Sequence, residues 1–124
     1  MPDSAPALIL FGHGSRDARW AEPMEAVAAR TRALRPGVPV ACAYLELMQP
    51  DLATACAHAV AQGARDVAIL PMFLGRGRHA REDLPELVAQ QQRAHPQVRF
   101  ELRTALGEDP AMVEAIAQWA VGGT

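Results

Sequence analysis

Four apolar runs alternate with four amphipathic stretches along this chain, each strand-like run passing through glycine, proline or polar residues into a helix-like one. Ala7 to Phe11 is a continuous apolar segment closed by Gly12, the pattern of a strand buried on both faces. From Asp17 to Leu34, Trp20, Met24, Val27, Ala28 and Leu34 recur at near-helical spacing until Pro36 and Gly37 stop the helix. Val38 to Leu45 predicts a second strand, rich in β-branched and aromatic side chains. Pro50 opens a second helix to about Gln62, with Gly63 at its end, and Asp66 to Pro71 contains Val67, Ala68, Ile69 and Leu70, a continuous apolar run expected of a central parallel strand. A long loop, Phe73 to Arg81, leads to a third helix over Glu82 to His95, closed by Pro96. Val98 to Thr104 predicts the fourth strand, and Asp109 to Ala120 a final amphipathic helix. The order βαβαβαβα requires a parallel sheet with right-handed crossovers and helices on both faces.

Composition narrows this picture. At 124 residues the chain predicts one domain over 1–124, large enough for one hydrophobic core, so a two-lobed site would need a second chain. Half the residues are hydrophobic and about a fifth charged, a globular rather than disordered composition. Twelve basic residues, all arginine, stand against 14 acidic ones, so no net positive field draws the chain to nucleic acid or to an anionic membrane. No apolar run approaches the roughly 18 residues of a membrane span, and the amino terminus lacks a secretory pattern, which predicts a cytoplasmic protein. Cys42 and Cys56 lack CxxC spacing and read as small buried hydrophobes. Trp20 and Trp119 read as core or interface anchors, and His58 and His95 as surface residues of helices.

The candidate chemistry lies where strands end, because ligands of open α/β sheets bind outside the carboxyl ends of the strands. His13 follows the first strand in Gly12-His13-Gly14-Ser15-Arg16, and His79 lies in the long loop after the third. Two neutral imidazoles converging there can hold a divalent metal or accept substrate protons. Glycines beside His13 allow close backbone approach, and the following helix start favours anions. The dinucleotide and P-loop fingerprints are both missing, so no nucleotide is expected. Ser15 and Asp17 read first as helix caps. Glu46, at the outlet of the second strand, is a solvated carboxylate unless its place on the same rim makes it a proton acceptor or an oxygen ligand. Arg76, Arg78 and Arg81 surround His79, a density of guanidinium groups that disfavours imidazolium and suits a polycarboxylate. Asp83 reads as a cap of the third helix or a hydrogen-bond partner of His79.

Taken together, these segments resemble a known family. The opening His13-Gly14-Ser15-Arg16, Tyr44-Leu45-Glu46 with Gln49-Pro50, Pro71-Met72-Phe73-Leu74 leading to Gly77-Arg78-His79, then Asp83-Leu84-Pro85, and Leu106-Gly107 before Asp109-Pro110 are similar in order and spacing to the small sirohydrochlorin chelatases of the cobaltochelatase type. The resemblance implies a chelatase-like, flavodoxin-like three-layer α/β fold with a four-stranded parallel sheet in the order 2-1-3-4. It implies ATP-independent insertion of Co2+ into sirohydrochlorin, with His13 and His79 as metal-binding and catalytic residues, Glu46 as an auxiliary base, and Ser15, Arg16, Arg76, Arg78 and Arg81 on the substrate. It also implies a homodimer, since larger chelatases carry two such lobes in one chain. Fe2+ and Ni2+ are the alternative metals, and a non-catalytic tetrapyrrole or metal-binding protein is the alternative of another class. A histidine-dependent phosphoryl-transfer enzyme is a third and weaker reading. Two departures are the Arg-rich approach to His79 and the lack of the histidine-rich tract that some relatives carry.

Overall fold

The computed structural model describes residues 5–75 and 78–122, with the backbone alone for residues 78–82. Four parallel strands, β1 (Ala7–Gly12), β2 (Val40–Tyr44), β3 (Asp66–Pro71) and β4 (Arg99–Leu102), form one sheet in the order β2-β1-β3-β4. This is the topology expected of the chelatase-like fold. The two central strands are the two continuous apolar runs, and the registers of β1 set Leu10 beside Cys42 on one side and Leu70 on the other. The edge strand β4 alternates exposed and half-buried residues, because only one of its faces is covered.

The period-two alternation of β1 builds two cores. Ile9 and Phe11 join Ala43, Val67 and Ile69 on one face, beneath α2 (Leu52–Ala61) and α3 (Arg78–Ala94). Leu10 turns to the other face with Val40, Cys42 and Tyr44, beneath Met24 and Ala28 of α1 (Glu22–Leu34). Each fully buried Phe, Ile or Val contributes roughly 2 kcal/mol of burial free energy, so both faces of the sheet are held by side chains from the two central strands. Cys42 and Cys56 are free and buried, one in each core, as their lack of metal-site spacing predicts.

Several element boundaries differ from the sequence expectation. β2 starts at Val40 rather than Val38, because Pro39 has no N–H to donate; its carbonyl accepts instead from the Leu8 N–H at 2.9 Å. α2 starts at Leu52 rather than at Pro50, capped by Asp51, whose side chain accepts the Thr54 N–H at 2.8 Å. A 3-10 turn, Ala18–Ala21, precedes α1, and Asp17 caps that turn through the Arg19 N–H. The helix α3 begins at Arg78, so His79 lies in a helical first turn and not in a loop, and Asp83 lies inside the helix rather than at its cap. That first turn, Arg-His-Ala-Arg, carries no apolar stripe by which periodicity could reveal it. A second 3-10 turn, Leu106–Glu108, leads to α4 (Pro110–Ala120), capped by Asp109. Neither tryptophan is a core residue: Trp20 is partly exposed and Trp119 is 76% exposed. No described helix is long and apolar enough to cross a membrane.

Candidate active-site rim

Each strand outlet at the carboxyl edge carries a residue of interest, and the backbone ties the outlets together. Beyond β1, the Gly12 carbonyl accepts the Leu45 N–H at 2.9 Å and the His13 carbonyl accepts the Glu46 N–H at 3.1 Å. His13 and Glu46 are therefore neighbours across the β1–β2 outlet, and both are exposed. Gly14 makes this approach possible. It holds a φ of 95°, and a Cβ there would collide with the Glu46 carbonyl. On the other side of His13, the Phe11 carbonyl accepts the Met72 N–H at 2.8 Å, which draws the β3 outlet alongside.

That outlet supplies Phe73, a residue the sequence reading quoted within a motif but gave no role at the site. Its ring is buried, and its centroid lies 4.7 Å from the His13 imidazole and 6.5 Å from Phe11. The imidazole thus rests on an aromatic floor rather than projecting freely from a loop. The Phe73 carbonyl accepts the Gly107 N–H at 2.9 Å, and a Cβ on Gly107 would collide with the Leu74 carbonyl. The β4 outlet is in this way locked to the β3 outlet. Leu45, Leu47 and Leu74 are exposed around the rim and give it an apolar character that the charged motifs alone do not reveal. The available signal was their position directly after strands, where a soluble fold gains nothing from bare leucine.

The remaining predicted residues divide. Ser15 is committed locally, its Oγ accepting the Asp17 N–H at 3.0 Å. Asp17 pairs with Arg19 at 3.2 Å, and the Arg19 contacts hold its carboxyl below the ordinary carboxylate value. Arg16 is exposed on the rim loop. The anion-favouring helix start expected after His13 does not materialise: the 3-10 turn intervenes, α1 lacks a side-chain cap, and Glu22 and Glu25 occupy its first turn. Arg76 lies outside the described residues, as do the side chains of Arg78, His79 and Arg81; the α3 backbone sets position 79 one residue into the helix that follows the β3 outlet. Among the described residues no group of three or more His, Cys, Asp or Glu side chains is arranged to hold a metal. His58 is exposed, and His95 is half-buried against Phe100 at 6.1 Å.

Cavity size is a poor guide here. A cavity of about 490 Å³ lies at the opposite edge, between Pro39, Gly63 and Asp66, and no histidine or cysteine lines it. A smaller one of about 230 Å³ sits just behind the rim, lined by Phe11, Tyr44, Leu45 and Asp51 among others.

The motifs along this rim are spread over nearly the whole chain, and the CbiX family profile matches residues 7–120. This chain belongs to the CbiX family. Over 111 residues it is 32% identical to a sirohydrochlorin ferrochelatase of Bacillus subtilis (strain 168), a match covering 89% of this chain and 42% of that protein. Over 82 residues it is 32% identical to a sirohydrochlorin cobaltochelatase of Methanocaldococcus jannaschii, covering 66% of this chain and 57% of the relative. The chain thus spans about half the length of the curated relatives it matches. A solved CbiX protein from Marinobacter aquaeolei VT8 superposes with a TM-score of 0.82 at 34% identity, covering 96% of this chain and 97% of that one.

Proposed function

We propose that this CbiX-family chain is a sirohydrochlorin chelatase, inserting a divalent metal into the metal-free tetrapyrrole without nucleotide. The observation that carries the reading is His13, set on Phe73 and backbone-paired to Glu46 at the carboxyl edge of the sheet of a CbiX-family fold. Insertion removes two pyrrolic protons from sirohydrochlorin and strips water from the ion, yielding the metal complex and two protons. Imidazoles at His13 and His79 suit both tasks, since nitrogen ligands bind a borderline cation reversibly and accept protons near neutral pH. Glu46 takes the second proton. Arg16, Arg76, Arg78 and Arg81 bind peripheral carboxylates, with Ser15 at the same loop.

Co2+ is the metal of our first reading. The Bacillus relative, a ferrochelatase, favours Fe2+ as the second. Ligand chemistry does not choose, because affinity at nitrogen sites rises from Fe2+ through Co2+ to Ni2+. The protein acts as a cytoplasmic single domain that pairs into a homodimer. The test is incubation of purified protein with sirohydrochlorin and, separately, Co2+, Fe2+ and Ni2+, following absorbance and subtracting spontaneous insertion. His13→Ala and His79→Ala are expected to slow insertion by about 100-fold or more. Near-wild-type rates in both variants would overturn the site, and tight binding without insertion would leave a non-catalytic tetrapyrrole or metal-binding protein.

A further inference from the structure

Leu47, next to Glu46 on the rim, holds a backbone φ of 68°, in the left-handed region. Among the described residues it is the only non-glycine there. Glycine, asparagine and aspartate enter that region at low cost, whereas a branched hydrocarbon side chain does not. Burial does not explain the leucine either. Its side chain is 57% exposed, while Met48, the next residue, packs against the core on the α1 face. The loop is pinned on both sides of the strained position. Before it, the Leu45 and Glu46 N–H groups donate to the Gly12 and His13 carbonyls; after it, the Pro50 carbonyl accepts the Tyr44 N–H at 2.9 Å. A leucine that gains neither burial nor a relaxed backbone marks a position where strain is kept for something other than folding.

We propose that Leu47 is a substrate-contacting residue, its side chain bearing on one face of the metal-free macrocycle beside the Glu46 carboxylate. This rests on the chelatase function proposed above and adds a part that the histidines and arginines do not supply. The occupant follows from where the rim places its apolar groups. β1 lies between β2 and β3, so the exposed His13 has Leu45 and Leu47 at the outlet on one side and Leu74, 71% exposed, at the outlet on the other. Those outer outlets are two strand spacings apart, about 10 Å, a span that a tetrapyrrole ring covers. A flat conjugated ring with carboxylates only at its periphery needs apolar contact on its face and cations outside it. The leucines offer the first, and Arg16, exposed on the His13 loop, offers the second. Asparagine at position 47 would relax the backbone but leave that part of the ring face uncovered. The chain keeps the strained apolar residue instead.

The test pairs stability with substrate binding in two variants of the 124-residue chain. Leu47→Asn suits the left-handed backbone and discards the apolar contact, whereas Leu47→Met keeps both the contact and the strain. Leu47→Asn is expected to raise Tm by roughly 2–4 °C. The same variant is expected to bind metal-free sirohydrochlorin about tenfold more weakly in a fluorescence titration. Its KM for insertion of Co2+ rises by a similar factor, with kcat within about twofold of wild type, because the contact is made equally to substrate and transition state. Leu47→Met is expected to match wild type in Tm, Kd and KM. A Tm that fails to rise in Leu47→Asn shows no strain to relieve, and an unchanged Kd and KM shows no contact; either overturns the role of Leu47 while the chelatase stands. An equal loss of binding in Leu47→Met overturns it too, by assigning the effect to the shape of the loop. So does a change in sedimentation with Leu47→Asn, which would put a second copy over the leucine. Wild-type protein that neither binds nor metallates sirohydrochlorin overturns the chelatase reading and this role together.

Discussion

Phe73 shows how much a side chain to which its motif gave no role decides. A rim imidazole is useful only if its nitrogens point at the reacting centre, and misplacement by about 1 Å costs on the order of 100-fold in rate. The His13 ring has one buried aromatic neighbour, Phe73, which is itself braced on Phe11. Phe73→Leu keeps an apolar side chain there but removes the flat floor. We expect it to slow metal insertion roughly tenfold, chiefly in kcat, in a protein that remains folded. An unchanged rate would show that His13 is oriented by something else. Both His13 and Glu46 were legible as strand-outlet residues, but their pairing was not, because it runs through backbone atoms and needs Gly14 in a left-handed conformation.

Among the elements, α2 starts on the carboxylate of Asp51. The Thr54 N–H donated to Asp51 holds its carboxyl below the ordinary value of 3.8. A carboxyl depressed in the folded state contributes stability that is present above the unfolded pKa and lost as pH falls through the folded one. Asp51→Ala is therefore expected to cost about 1 kcal/mol at pH 7, with the gap to wild type closing below about pH 4. Urea midpoints at pH 7 and pH 3 check this, and an equal gap at both would exclude capping by the ionised carboxylate. Helix α3 teaches the opposite lesson about reading elements. Its start at Arg78 escapes the apolar periodicity, and Pro85 inside it, which breaks one i to i−4 hydrogen bond, argues locally for an end. Leu84 and Val88 hold the helix across that point by packing into the core.

For the molecule as a whole, the sheet divides two cores that each contain one thiol. Burial pushes Cys42 up to about 11, with Glu25 adding to the shift, and burial pushes Cys56 up to about 12. Neither is a thiolate at pH 8. Both are expected to resist thiol reagents in the native protein and to become labelled together across one denaturation transition, since the two cores share the strands of one sheet and are expected to open together. Labelling of Cys42 well before Cys56 would show that the α1 face opens independently.

The order of elements, the pair of central strands, the two buried cysteines and the residues at the β1 and β2 outlets were determined by sequence alone, because hydrophobic period and turn residues act locally. The shared motifs likewise anticipated the fold family and its strand order. Tertiary structure decided the rest. It set Phe73 beneath His13, closed the β3 and β4 outlets through Gly107, replaced an anion-favouring helix start with a 3-10 turn and two glutamates, and left α4 uncovered. The first two join residues far apart in sequence, which no local pattern can register. An amphipathic pattern says only that a helix has a face to bury, not whether its own chain will bury it.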